Sequence, residues 1–167
     1  MIGRILPLLL AAALAAYGQR AAYGQRAGGA QKYAGPVPPK PDLPYLKHAD
    51  SLVPTEAVDV KEEKKKDEIT YIMPGATSSA RTPLAAPIFL FQSDKIAADH
   101  LGLYRLESKN GRREIVASPK KPLEAIRIVV SHLSGNIYKI EVDESLAAGE
   151  YALSPEGPNL AFCFQVF

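Results

Sequence analysis

Three histidines, a single cysteine and the adjacent serines Ser78 and Ser79 are the side chains whose types and spacing are the first to weigh for chemistry. His48 and Asp50 lie two residues apart, so on a strand they share one face, which is half of a metal site or of an acid–base pair. His100 follows Asp99 and completes such a site only if the fold carries it there. No H-x-H, H-E-x-x-H or C-x-x-C spacing supports that reading, and a loop histidine beside an acidic neighbour accounts for each pair more simply. Cys163 stands between Phe162 and Phe164 with no basic neighbour to make it a thiolate; its expected role is a small buried hydrophobe, with an intermolecular disulfide as the alternative. Ser78 and Ser79 sit in Gly75-Ala76-Thr77-Ser78-Ser79-Ala80, which lacks the G-x-S-x-G elbow of a nucleophilic serine. The expectation is therefore a protein that is not an enzyme, with no catalytic, metal-binding or cofactor-binding residues. The alternative is a metal-dependent or hydrolytic enzyme using His48 and Asp50.

Charge offers one further candidate. Lys109, Arg112, Arg113, Lys120 and Lys121 are the main basic concentration, and they are expected to form an anion-binding surface if any exists. Each positive charge near an anionic envelope surface contributes about 1 kcal/mol, which makes a polyanion-binding module on Arg112, Arg113, Lys120 and Lys121 a third function class. The whole chain carries 20 basic and 18 acidic side chains, and a net charge of +2 is too small to argue for nucleic acid. One cysteine in 167 residues excludes an intrachain disulfide framework and a cysteine-built zinc site.

The elements that must position these residues begin at the amino terminus. Residues 1–16 read as a secretory signal: Arg4 supplies positive charge, Ile5 to Ala16 is apolar, and Ala13-Leu14-Ala15 fits a cleavage site. The run is too short for a span, which needs about 20 apolar residues. A doubled Ala-Ala-Tyr-Gly-Gln-Arg follows at 15–26, far below the copy number of a solenoid. Cleavage after Ala15 leaves a net charge of +1, because Arg4 is lost; cleavage after Ala30 also removes Arg20 and Arg26 and leaves −1. Pro36, Pro38, Pro39, Pro41 and Pro44 then predict an extended, polyproline-like spacer, so residues 17–44 are expected to be a linker ahead of a domain over 45–167.

Beyond Tyr45 short apolar runs recur between glycine, proline and polar clusters, the pattern of an all-β, antiparallel β-sandwich. Strands are predicted near 45–52, 56–60, 69–73, 88–92, 103–108, 113–117, 126–133, 137–142, 150–153 and 162–167. The charge run Lys61 to Glu68 sums to zero and is expected as a solvated hairpin tip or short helical turn. Asn110-Gly111 predicts a two-residue hairpin that sets Ser108 opposite Arg113 and Glu107 opposite Glu114. Gly135-Asn136 predicts a second hairpin with two competing registers. Leu133 faces Tyr138 with the better turn, or His132 faces Tyr138 with the better apolar pairing, and the choice decides which face His132 takes. Ile126, Ile128, Val129 and Val130 are apolar on both faces, which predicts an interior strand.

The stretch Leu146-Ala147-Ala148-Gly149-Glu150-Tyr151-Ala152-Leu153 resembles the L-x-x-G-x-Y-x-L pattern ahead of a late strand in immunoglobulin-like and transthyretin-like sandwiches. That resemblance implies that Tyr151 packs its ring inward and bonds its hydroxyl to nearby backbone. Phe162, Phe164 and Val166 alternate with Cys163 and Gln165, which predicts a closing strand with an aromatic core face. In the segments 41–50, 74–84 and 149–157 the chain also resembles a group of uncharacterised exported bacterial small-domain proteins. The resemblance implies export to the periplasm or beyond and a compact domain, and carries no activity and no functional residues. The function expected is a binding or scaffolding module in the bacterial cell envelope or outside the cell. Its partner would be a protein or an envelope polymer, with self-association through the amino-terminal arm, and with neither nucleic acid nor a membrane span.

Overall fold

Alternation with period two, interrupted by residues that accept positive φ, dictates strands joined by tight turns. A computed structural model describes residues 33–157 and 159–167; the secretory signal, its cleavage sites, the doubled hexapeptide and most of the linker lie outside the described residues. Thirteen strands run in order: β1 Tyr45–His48, β2 Ser51–Pro54, β3 Glu56–Asp59, β4 Lys61–Lys65, β5 Glu68–Pro74, β6 Arg81–Thr82, β7 Ile88–Gln92, β8 Leu101–Lys109, β9 Arg112–Ala117, β10 Ile128–Ser134, β11 Ile137–Val142, β12 Gly149–Pro155 and β13 Leu160–Val166. A single 3₁₀ turn, Ala98–His100, precedes β8. The fold is all-β among the described residues, as the pattern predicted.

Two sheets result. One has the order β10-β11-β7-β1-β2; the other runs β3-β13-β12-β8-β9-β5-β4, with β6 added beside β13. All pairings are antiparallel except the two-residue contact of β6 with β13. The second sheet curls on itself for a covalent reason. Its end strands β3 and β4 are separated by Val60 alone, and β3 pairs with β13 while β4 pairs with β5. The Val60 amide still bonds to the Asn159 carbonyl at 3.0 Å before the chain crosses to β5. The sheet is thus bent into a half-barrel.

Side-chain size on the two faces of β12 and β13 follows that curvature. Phe162, Phe164, Val166, Tyr151 and Leu153 point to the convex side, where they meet Leu46, Phe89, Phe91 and Ile140 of the five-stranded sheet in the main core. Phe164 lies 5.0 Å edge-on from Phe89 and 5.7 Å from Tyr151 in a stack, ring centre to ring centre. Ala152, Ala161 and Cys163 point to the concave side with Met73 and Leu106, a second and smaller core. Small residues are what the inner radius of a tight curl admits. The Tyr151 hydroxyl donates to the Ala147 carbonyl at 2.8 Å while its ring is buried, the tyrosine corner that the sequence implied.

The hairpins resolve the open registers. Ser108 faces Arg113 and Glu107 faces Glu114 as predicted, and Arg112 reaches Glu114 at 2.9 Å to offset the like-charge pair. In the second hairpin both competing features are met: Ser134 faces Ile137 across the Gly135-Asn136 turn, then a bulge at Leu133 shifts the ladder so that His132 faces Tyr138. Three expectations fail. The run Lys61–Lys65 is strand β4, and only Lys66-Asp67 forms the tip, with Lys66 at φ 53°. Strand β10 is an edge strand, not an interior one, and leaves Val129 39% exposed. Its apolar character on both faces reflects one buried face and one unpartnered side chain. The predicted strand 45–52 is split by a turn at Ala49, φ 51°.

From Tyr33 onward the chain belongs to the same compact unit as the sheets. The proline segment is fastened at its end: the Asp42 amide donates to Gln92, and the Asp42 carboxylate accepts the amides of Asp94, Lys95 and Ile96 at 2.9–3.0 Å. Leu43 then packs against the main core.

Candidate functional site

The concave face of the half-barrel holds a half-open cavity. It measures about 480 Å³, inside the span of roughly 300–1,000 Å³ typical of small-molecule sites. Its walls are apolar: Val60, Met73, Leu106 and Ile115 come from four parts of the curled sheet, with Ala152 and Ala161 from β12 and β13. Tyr71 and Tyr104 bring rings to the lining, and Leu123 and Ala125 reach it from the segment after β9. Glu62, Asp99, His100, Glu156 and Asn159 complete it and are solvent-exposed, so they mark the mouth. Gly102 has a specific part here. A Cβ at this position would come within 2.8 Å of the Tyr104 hydroxyl, so its absence lets the Tyr104 ring lie back along β8.

The other end of the curl is shut by a buried ionic cluster. Arg113 on β9 is fully buried, and it faces the concave side beside Glu56 of β3 and Glu150 of β12. Its guanidinium donates to Glu56 Oε1 at 2.7 Å, to Ser78 Oγ, and to the carbonyls of Pro74 and Gly75. Ser78 passes the charge on: its hydroxyl and amide both donate to Glu150 Oε2, at 2.7 and 3.0 Å, and the Ser79 amide donates to Glu56. The bonds to Gly75, Ser78 and Ser79 draw the loop between β5 and β6 across the end of the half-barrel, while the Arg113–Glu56 pair ties β9 to β3. Glu150 Oε1 is buried without a partner. The cluster thus holds the loop in place.

Electrostatics here has a direction. Burial pushes the Glu56 carboxyl up, but the Arg113 guanidinium and the Ser79 amide outweigh it and hold the group below its ordinary value of 4.5. Burial likewise opposes ionisation of Asp42, and the three amides of residues 94–96 with the Lys95 charge bring it below 3.8. A depressed folded pKa stabilises the fold above the ordinary value, and that stabilisation disappears as pH falls through the folded value. The expected result is a urea midpoint insensitive to these groups near neutrality and declining below about pH 4.5, and Asp42→Asn should flatten part of the decline. An unchanged profile in Asp42→Asn would show that the carboxylate adds nothing to the fastening.

Cys163 is fully buried on the concave side, and burial pushes its thiol up to about 12. We expect no reaction with an aromatic disulfide reagent at pH 8 in the folded state and one equivalent after unfolding in urea; rapid labelling of the native protein would contradict this placement.

The residues singled out from sequence are distributed as follows. His48 spends Nε2 on Thr82 Oγ1 at 2.9 Å, and Asp50 is exposed in the turn after β1. His100 sits at the mouth of the cavity. Among the described residues no three metal-ligating side chains gather. Of the basic group, Arg113 is absent from the surface because all its donors are used inside. Lys109 and Arg112 flank the Asn110-Gly111 turn, whereas Lys120 and Lys121 follow the opposite end of β9. Lys120 instead shares a shallow cavity of about 410 Å³ with Lys65, Lys66, Asp67 and Glu68. Sequence reasoning missed the cup altogether. The only local signal was the run of small residues, Gly102, Ala152, Ala161 and Cys163, alternating with large ones on strands that later prove adjacent. Among the described residues no helix is long and apolar enough to cross a membrane. No family model, curated protein or solved structure matches the chain.

Proposed function

We propose that this protein is a non-catalytic binding module that works outside the cytoplasm and holds a small, largely apolar molecule in the cup of its curled sheet. The observation that carries this reading is the 480 Å³ cavity with apolar walls and a polar mouth. Desolvating an apolar ligand there contributes about 25 cal/mol per Å² of apolar surface removed from water. The ionic cluster at the closed end supports binding rather than bond-making, because its donors are engaged with the loop. Export is supported by the signal-like residues 1–16. The fold is read as a sandwich of the immunoglobulin-like kind with one layer curled, a reading supported by the core common to both sheets and by the Tyr151 corner.

The test uses the neutral fluorophore N-phenyl-1-naphthylamine. One saturable site per chain, with blue-shifted emission, is the expected result. Ala161→Leu places extra bulk in the cup and should abolish binding; Gly102→Val, which forces the Tyr104 ring away from β8, should weaken it about tenfold, a loss of about 1.4 kcal/mol. Binding unchanged in both variants, with their folding intact, would reject the cup as the site.

A further inference from the structure

The cavity's charge is one-sided. Among the described residues that line it there are three carboxylates, Glu62, Asp99 and Glu156, and no lysine or arginine. Lys64, outside the lining, reaches Glu62 only at 3.7 Å with most of its side chain in solvent, where such a pair is weak. Two tyrosines share the lining: Tyr71 stands opposite Glu62 across β4 and β5, and Tyr104 opposite Ala152 across β8 and β12. Carboxylates beside aromatic rings form the chemistry that recognises an ammonium group, through charge and through the ring quadrupole.

Resting on the binding reading above, we infer that the ligand is a cationic amphiphile. Its aliphatic part lies against Met73, Leu106 and Ala161, and its amine or quaternary ammonium lies at the mouth among Glu62, Asp99 and Glu156. A free carboxylic acid or a phosphate is disfavoured for the same reason, since its charge would face three others of its own sign. The arrangement also gives an orientation: the tail enters first and the head stays in partial contact with water, which avoids the cost of burying an ion.

Competition for bound N-phenyl-1-naphthylamine tests this with three probes of equal chain length, each below its micelle concentration: decyltrimethylammonium, decyl maltoside and decyl sulfate. The ammonium compound is expected to displace half the fluorophore at a concentration about tenfold below the maltoside, and the sulfate to be the weakest, with the ammonium advantage shrinking as salt rises. In Glu62→Gln/Asp99→Asn/Glu156→Gln the advantage should vanish while the fluorophore still binds. The single Asp99→Asn variant, which should show part of the loss, serves if the triple variant does not fold. Equal displacement by ammonium and maltoside, or stronger displacement by sulfate, overturns the cationic inference and leaves the cup reading intact. No fluorophore binding to the wild-type protein overturns both.

Discussion

Arg113→Met is expected to destabilise the protein by about 3–5 kcal/mol, the usual cost of removing one partner from a buried ion pair. The substitution conserves apolar bulk along the stem, so the loss is electrostatic rather than a cavity. It strands Glu150, which is 5% exposed, and leaves Glu56 with only the Ser79 amide. It also frees the carbonyls of Pro74 and Gly75 that hold the loop over the end of the half-barrel. Urea midpoints at pH 7 measure the effect. Two companions make the cause visible. Adding Glu56→Gln to Arg113→Met should recover part of the loss, because a stranded charge is removed. The single variant should also become more stable as pH is lowered from 7 toward 5, a range over which Glu56 leaves the wild-type stability flat. A loss below about 1 kcal/mol would place the cluster among surface pairs in energetic terms.

Removal of residues 160–167 is expected to abolish cooperative unfolding entirely. Strand β13 pairs with β12 on one side and with β3 and β6 on the other, so its loss opens the half-barrel and unbinds two other elements. It also strips Phe162, Phe164 and Val166 from the main core and Ala161 and Cys163 from the smaller one. Phe164→Ala is the graded version. It deletes a ring packed on both Phe89 and Tyr151 and should cost about 3–5 kcal/mol by the behaviour of buried aromatic truncations. Near-ultraviolet circular dichroism and a urea transition follow both variants. A truncated chain with a sharp transition would mean that the five-stranded sheet is stable alone, contrary to the common core.

Fold class was legible because its signals are local. The Asn110-Gly111 turn, the alternation of Phe162 to Val166 and the Tyr151 corner each act within a few residues and took the expected form, while the Gly135-Asn136 hairpin combined the two registers that the sequence left open. The errors came from reading a strand's environment off its own composition. Ile128 to Val130 are apolar on both faces, yet β10 is an edge, because edge status depends on which strands arrive beside it. Lys61–Lys65 is charged throughout, yet its backbone pairs fully with β5, because ladder bonds do not ask the side chains for apolarity. Arg113 had the look of a surface cation beside Arg112. Period two placed it on the buried face, and the partners that make burial tolerable lie 57 and 37 residues away, at Glu56 and Glu150. The cup had the least chance of being seen. It exists only where β4, β5, β8, β9, β12 and β13 converge, and no single segment encodes it.

The joining of β3 and β4 through Val60 has a temporal meaning. Glu56 pairs with Cys163, 107 positions further along (163 − 56), so the wall of the half-barrel formed by β3 waits for β13. Contacts of such long separation form slowly, since a large loop must close before they return any energy. A chain in which β13 has not yet been synthesised therefore cannot complete this sheet. The half-barrel is sealed only once β13 is free to dock between β12 and β3.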